Sequence, residues 1–193
     1  MPSNVEIKAR VVDVEGLLMK AKSLAASHVV LHQIDSYFPV SSGRFKLREF
    51  MADNSEGSWL NGELIFYDRA NVEGPKLSKY EKQTFRDRSE ALGLKKILEK
   101  SLGIKAVVTK TRHVLMVGQT RVHVDTVKDL GNFMELEVVL KENQTAEEGE
   151  RIADSLRSQL GVDTKDLIDC SYVDLLLRHI SNETPQSKAL NEV

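Results

Sequence analysis

The sequence predicts an α+β fold: one sheet of roughly eight strands curling into a closed barrel, with helices packed outside. Three observations predict it. First, the chain opens on Asn4-Val5-Glu6-Ile7-Lys8-Ala9-Arg10, where polar side chains take every second position and short apolar ones stand between. Alternate side chains of a strand point to opposite faces, so Asn4, Glu6, Lys8 and Arg10 share one face. Second, this alternation returns in several later segments, and both charge signs occur on the charged faces. Third, the strand-like segments are interrupted by helical stretches that carry cap and stop residues.

Residues 4–12 read as the first strand. Asp13 is placed to cap a helix over 14–27, with Leu17, Leu18, Ala21, Leu24 and Ala25 at helical spacing. A second strand covers 30–38 and ends at Pro39; Ser42-Gly43 signals a turn, and 44–51 is the third strand. A loop rich in Asp, Asn, Ser and Gly is predicted over 52–62. Residues 63–69 and 78–85 are the fourth and fifth strands, with a turn at 71–75 between them. A helix follows over 89–101, ended by Gly103. Three strands come next, over 106–114, 122–127 and 133–140, punctuated by Gly118 and Gly131. Thr145 with Glu148 is a capping-box pattern, and it starts a helix to Leu160 that Gly161 closes. The last helix covers 171–180. Residues 1–180 are expected to form a single domain, and 181–193 a polar, flexible tail.

A chain of 193 residues is long enough to bury a core as one domain. Its net charge of -2 argues against a nucleic-acid or membrane binder, so a basic site has to be local and balanced by acid elsewhere. Cys170 is the single cysteine, which rules out an internal disulfide and agrees with a reducing, cytoplasmic compartment. No basic-then-apolar leader pattern or bilayer-length apolar run is present, so a soluble monomer or homodimer is expected.

The charged faces carry the chemistry. Lys46 and Arg48 lie two apart on one strand, as do Tyr67 and Arg69, Lys110 and Arg112, and Glu135 and Glu137; Arg121, His123 and Asp125 form a triplet. Between them stand residues suited to a buried opposite face, such as Phe45, Leu47, Val122, Val124, Met134, Leu136 and Val138. One such pair is ordinarily a solvated face. Repeated on six strands, the pattern points to a barrel whose lumen gathers the charges. Such a lumen needs ions or a ligand to offset the desolvation of its charges. Lys8, Lys46, Arg48, Arg69, Lys110, Arg112 and Arg121 are the right donors for phosphate oxygens. Glu6, Asp125, Glu135 and Glu137 are hard oxygen ligands suited to Mg²⁺ or Mn²⁺. Together they describe a site for a metal-bound di- or triphosphate.

These segments resemble the CYTH superfamily, the triphosphate tunnel metalloenzymes. Asn4-x-Glu6-x-Lys8 is similar to the family's Glu-x-Glu-x-Lys signature on the first strand. Further segments agree in order: Asp35-Ser-Tyr37-Phe38, Gly43-Arg-Phe-Lys46-Leu-Arg48-Glu49, Leu64-Ile-Phe-Tyr67-Asp-Arg69, Lys110-x-Arg112, Arg121-Val-His123-Val-Asp125, Leu130-Gly131-x-Phe133-x-Glu135-Leu-Glu137 and Ser171-Tyr172. The resemblance implies an eight-stranded antiparallel closed β-barrel, a triphosphate tunnel. It implies Glu6, Asp125, Glu135 and Glu137 at one or two divalent cations, Mg²⁺ or Mn²⁺. It implies Lys8, Lys46, Arg48, Arg69, Lys110, Arg112 and Arg121 on a small-molecule triphosphate, with Glu6, Lys8, Arg48 and Glu137 as the catalytic set. Three activities follow from it: a metal-dependent triphosphatase, a class IV adenylyl cyclase, or a polyphosphate-binding module with weak turnover. Asn4 departs from the pattern, because its neutral carbonyl replaces a glutamate and removes one negative charge from the metal site.

Other residues weigh less. Tyr67 and Tyr172 are expected to pack with bonded hydroxyls, and His123 either lines the lumen or pairs with Asp125. Trp59, in the predicted loop, is expected to pack on the surface. Lys76 and Lys79 are expected in a solvated loop, and Cys170 is read as a small buried hydrophobe.

Overall fold

A computed structural model describes residues 3–52, 59–68 and 71–183. Its strands are β1 (Ser3–Arg10), β2 (Ser27–Phe38), β3 (Arg44–Met51), β4 (Trp59–Asp68), β5 (Lys76–Phe85), β6 (Ala106–Val117), β7 (Thr120–Val127) and β8 (Gly131–Val139). They close into a barrel in the order β1-β5-β4-β3-β2-β6-β7-β8, and each neighbouring pair is antiparallel. The helices are α1 (Val14–Leu24), α2 (Arg88–Leu102), α3 (Ala146–Leu160) and α4 (Tyr172–Glu183), with a 3-10 turn at Thr164–Asp166. No described helix is long and apolar enough to cross a membrane.

The alternation along each strand decides which way the barrel faces. Val5, Ile7, Ala9, Val122, Val124, Met134, Leu136 and Val138 point outward. Leu17 and Ala21 of α1, with Ala153, Leu156 and Leu160 of α3, cover them. The main apolar core therefore lies between the wall and the helices, where each large side chain contributes about 1.5–3 kcal/mol on burial. The polar faces are left to converge inside.

Local chemistry places each helix. Asp13 accepts from the Gly16 N–H and Asp87 from the Glu90 N–H. Thr145 and Glu148 complete the reciprocal capping box of α3. Helix α2 rests on β4 where Gly62 leaves room for Ala91, and Lys95 reaches back to Glu49 at 2.8 Å.

One end of the barrel is sealed. Tyr37, Val108, Val127 and Phe133 form an apolar cluster there with Ile168, Cys170, Tyr172 and Val173. The Ile168 N–H donates to the Lys8 carbonyl, and Ala9 bridges to Leu167. Arg44 bonds Asp174 of α4 at 2.6 Å. Lys76 belongs to this seal: it is buried, and its ammonium donates to the carbonyls of Val72, Ile168 and Asp169. The expected solvated loop is thus corrected, because three backbone acceptors replace its water. Lys79, on the outer face of β5, is exposed as expected.

Several strands run longer than their alternation. The first strand stops at Arg10, short of Val12, which is fully exposed. Helix α1 ends at Leu24 and β2 starts at Ser27, three residues ahead of the predicted strand. The ladder to β6 is what extends it, running from Ser27–Met116 to Tyr37–Ala106 through the unpatterned apolar run Val29-Val30-Leu31. Strand β6 likewise reaches Val117 and turns over Gly118-Gln119, where Gly118 takes a φ of 57° that favours glycine. Trp59 starts β4 opposite Met51, with its ring beside Gly62, so residues 59–62 of the predicted loop are strand, and 53–58 lie outside the described residues.

Two glycine substitutions test this packing. A Cβ on Gly149 of α3 would stand 2.8 Å from Val5 Cγ2 and 2.6 Å from Leu140 Cδ2, whereas one on Gly93 of α2 meets nothing within 4 Å. Gly93→Ala should raise the melting temperature through about 1 kcal/mol of helix propensity. Gly149→Ala should lower it, because overpacking costs about 1–3 kcal/mol and Val5 is stiff at χ1. Thermal unfolding of both variants checks the pair.

Candidate active site

The inward faces enclose a cavity of about 340 Å³ lined from all eight strands and by Ser171 and Tyr172. Glu6, Lys8, Lys46, Arg48, Lys110, Arg112, Arg121, Glu135 and Glu137 all line it, so the lumen gathers nine of the residues singled out from sequence. Asp125 stands behind that lining, fully buried. Arg69 lies outside the described residues. Seven cationic side chains face five carboxylates in the lining, the opposite balance to the whole chain.

Asp35 is the first centre. Arg48 donates to it in a two-pronged pair, Nε to Oδ1 at 2.7 Å and Nη2 to Oδ2 at 2.8 Å. Lys46 and Lys110 each place an ammonium 2.9 Å from Oδ2. Three cations therefore share one carboxylate, 1% exposed. Burial alone would raise the Asp35 carboxyl, but Arg48, Lys110 and Lys46 hold it well below the usual range. Burial pushes the Lys46 ammonium down to about 8, with Arg48 adding repulsion and Asp35 opposing. Burial also drives Lys110 well below its ordinary value.

Sequence reading missed Asp35 as a site residue. It stands in the segment Asp35-Ser-Tyr37-Phe38, two residues from Gln33 and Tyr37 on one face, and it pairs in register with Arg48. That parity was the available signal, but nothing in β2 alone shows that three cations from two other strands meet there.

Arg112 is the second centre. It grips Asp125 through two bonds of 2.7 and 2.6 Å and reaches Glu135 at 2.8 Å. The Tyr172 hydroxyl donates to Asp125 Oδ2 at 2.7 Å, so both Asp125 oxygens are engaged. Burial works to raise the Asp125 carboxyl, and Arg112 holds it below the usual range. Lys8 bonds Glu135 at 3.1 Å and stands 3.7 Å from the centroid of the Tyr172 ring. Tyr172 thus packs with a bonded hydroxyl, as expected, and also lines the lumen; Tyr67 lines it as well.

The third group is acidic. The register places Glu6 opposite Glu137 on β1 and β8, Arg121 opposite Glu137 and His123 opposite Glu135 on β7 and β8. Arg121 bonds Glu137 at 2.8 Å. His123 turns into the lumen, its Nδ1 3.9 Å from Glu135 and 3.8 Å from Glu137, too far for hydrogen bonds. That buried nitrogen has no hydrogen-bond partner among the described residues. Ligand atoms of His123, Glu135 and Glu137 all lie within 4.8 Å of one another, a spacing that one cation can span. Burial would raise the Glu137 carboxyl, but His123, Arg121 and Arg112 outweigh burial and Glu135 and hold it below normal, as a ligand for a cation requires. Two carboxylates with an imidazole suit a hard or borderline divalent cation. The Asn4 carbonyl oxygen, also buried and without a partner among the described residues, faces the same lumen.

The fold recurs in solved structures. The PH1012 protein of Pyrococcus horikoshii matches with a TM-score of 0.73 and 23% identity, over 89% of this chain and 98% of that one. A candidate adenylate cyclase from Vibrio parahaemolyticus matches with a TM-score of 0.69 and 16% identity, over 90% and 97%. HpAC1 of Hippeastrum matches with a TM-score of 0.60 and 12% identity, over 91% and 95%. No curated protein matches the sequence significantly. The family model of the CYTH domain matches residues 3–172, the whole of the barrel with its inner charges, and the chain belongs to that family.

Proposed function

We propose that the protein is a divalent-metal-dependent triphosphatase, hydrolysing inorganic tripolyphosphate or an organic triphosphate inside the lumen. The Asp35 cluster carries this reading. Three buried cations on one carboxylate leave positive charge that an anion deep in the barrel would offset. A run of phosphates has the charge density and the oxygen geometry for Lys46, Arg48, Lys110 and Arg112. Lys8 and Arg121 extend the same set, and Arg69 belongs with it by sequence. HpAC1, which shares the fold, has a dominant triphosphatase activity. That supports hydrolysis over cyclisation for this lumen.

Glu135 and Glu137 with His123, and Glu6 opposite Glu137 in register, make a donor set that fits Mg²⁺ or Mn²⁺. Bound there, such an ion would neutralise phosphate charge and lower the pKa of a coordinated water. The chain's own residues do the rest. Lys46, Arg48 and Lys110 hold the phosphate chain in line. Glu137 and Glu6 orient the attacking water, which gives its proton up to solvent. Arg48 and Lys8 stabilise the phosphate that leaves. Asp125, read from sequence as a metal neighbour, spends both oxygens on Arg112 and Tyr172, and we assign it to positioning Arg112. The partner is a small molecule, with no nucleic acid or membrane involved.

Three measurements test the reading. Glu137→Gln should reduce phosphate release at least about 100-fold while leaving the melting temperature near wild type. Assays with Mg²⁺ or Mn²⁺ use tripolyphosphate, ATP and thiamine triphosphate in parallel; full retained activity would contradict the metal assignment, and cyclic AMP would favour the cyclase. Asn4→Glu restores a negative charge and should lower the metal concentration giving half-maximal rate. Affinity for tripolyphosphate should be flat below pH about 8 and fall above it, as Lys46 loses its proton. The sign follows from the anion, which raises the Lys46 pKa, so binding above that pH takes up a proton. Calorimetry in buffers of different ionisation enthalpy reads that uptake.

A further inference from the structure

A second group of imidazoles stands outside the barrel. Leu31 and Gln33 of β2, and Arg112 and Val114 of β6, line the lumen. Strand alternation therefore turns His28, Val30 and His32 of β2, and His113 of β6, to the outer face. His28 and His113 are 85 residues apart in sequence, yet His28 Nε2 lies 2.9 Å from His113 Nδ1. The two ring planes differ by 13° and the centroids are 5.1 Å apart, so the imidazoles meet nitrogen to nitrogen. His28 is exposed and His113 half-buried. Both lie toward the end of the β2–β6 ladder away from the seal, and neither belongs to the lumen.

We infer that His28 and His113 form a two-imidazole site for a borderline divalent cation, Zn²⁺ or Cu²⁺, on the outer wall of the barrel. Imidazole nitrogen suits such ions, whereas carboxylate oxygens in the lumen suit Mg²⁺ or Mn²⁺. With metal–nitrogen bonds of about 2.0–2.1 Å, two nitrogens on one ion stand about 2.9–3.4 Å apart, from cis square-planar to tetrahedral geometry. The pair already has the lower of these spacings. The torsion that swings an imidazole about its Cβ–Cγ bond is soft, so both lone pairs can converge on an ion beside the line joining them. The proton now shared between the two nitrogens moves, through solvent, to the other nitrogen of its own ring. Burial lowers the His113 pKa, with His28, Lys22 and His32 adding repulsion and Asp125 opposing, and a neutral ring is the form that ligates. His32 commits its Nδ1 to Thr111 Oγ1 at 3.1 Å and stands outside the pair, so water completes the coordination. An ion held there cross-links β2 to β6 at the open end of the barrel.

The test titrates Zn²⁺ by calorimetry into the full chain saturated with Mg²⁺, and records melting temperature and phosphate release alongside. His28→Gln and His113→Gln should each weaken one Zn²⁺ site at least about tenfold, and His32→Gln should leave that site intact. With Zn²⁺ at about 100 times its dissociation constant, wild type should gain about 5 °C more in melting temperature than His28→Gln gains. The His28 side chain is exposed, so His28→Gln should melt near wild type without Zn²⁺ and carries the test if His113→Gln folds poorly. Phosphate release with Mg²⁺ alone should be unchanged in His28→Gln, as an outer-wall site requires. Zn²⁺ binding that persists at full strength in both variants, or that is lost in His123→Gln instead, overturns the site. The triphosphatase reading can fail without touching this result, because the titration reads Zn²⁺ binding and no turnover.

Discussion

A charge taken out of water has to find a counter-charge, and the Asp35 carboxylate shows how this barrel meets that demand. Its two oxygens serve Arg48, Lys46 and Lys110 at 2.7–2.9 Å. One carboxylate is enough to hold three cations in place but not to neutralise them. Burial lowers the pKa of both lysines, Asp35 opposes it, and the repulsion of Arg48 and Arg112 adds to it. Under the proposed function, this surplus is what an anion in the lumen would offset. On the other wall Arg112 is fully compensated by Asp125 and Glu135. Those two carboxylates fix the direction of its guanidinium, and the larger surplus of charge lies at Asp35.

The rest of the architecture follows from keeping those charges inside. A barrel with polar side chains in its lumen cannot use its interior as a hydrophobic core. Its apolar residues face out, and α1 and α3 cover them. The inward apolar residues at one end, Phe133 among them, meet α4 and the segment before it, which excludes water from the deep side of the Asp35 cluster. Tyr172 links the two regions, packing on Phe133 while its hydroxyl bonds Asp125. The end seal and the Asp125 carboxylate that holds Arg112 thus share one side chain.

Much of this was legible in the sequence because strand parity is unforgiving. Lys46 and Arg48, or Glu135 and Glu137, fix which face looks inward, and a slip by one residue would put Leu47 and Leu136 there instead. The capping box at Thr145 and the stop at Gly161 were equally plain. What stayed hidden depends on partners distant in sequence. Ser27-His28-Val29 shows no alternation, and only the ladder to β6 makes it strand. Lys76 looks like a loop lysine until carbonyls from Ile168 and Asp169 surround it. Asp125 reads as a metal ligand from β7 alone, and its bonds to Arg112 and Tyr172 come from elements that β7 does not reveal. Asp35 has one charge among neighbours that carry none, so its role emerges only when three strands close around it.

The most direct measurement is a crystal structure with tripolyphosphate and Mn²⁺, using anomalous scattering to locate the metal. The account predicts phosphate oxygens between Lys46, Arg48, Lys110 and Arg112, with manganese against Glu135 and Glu137. Phosphate and metal found on the outer surface, with the lumen filled by water alone, would contradict it.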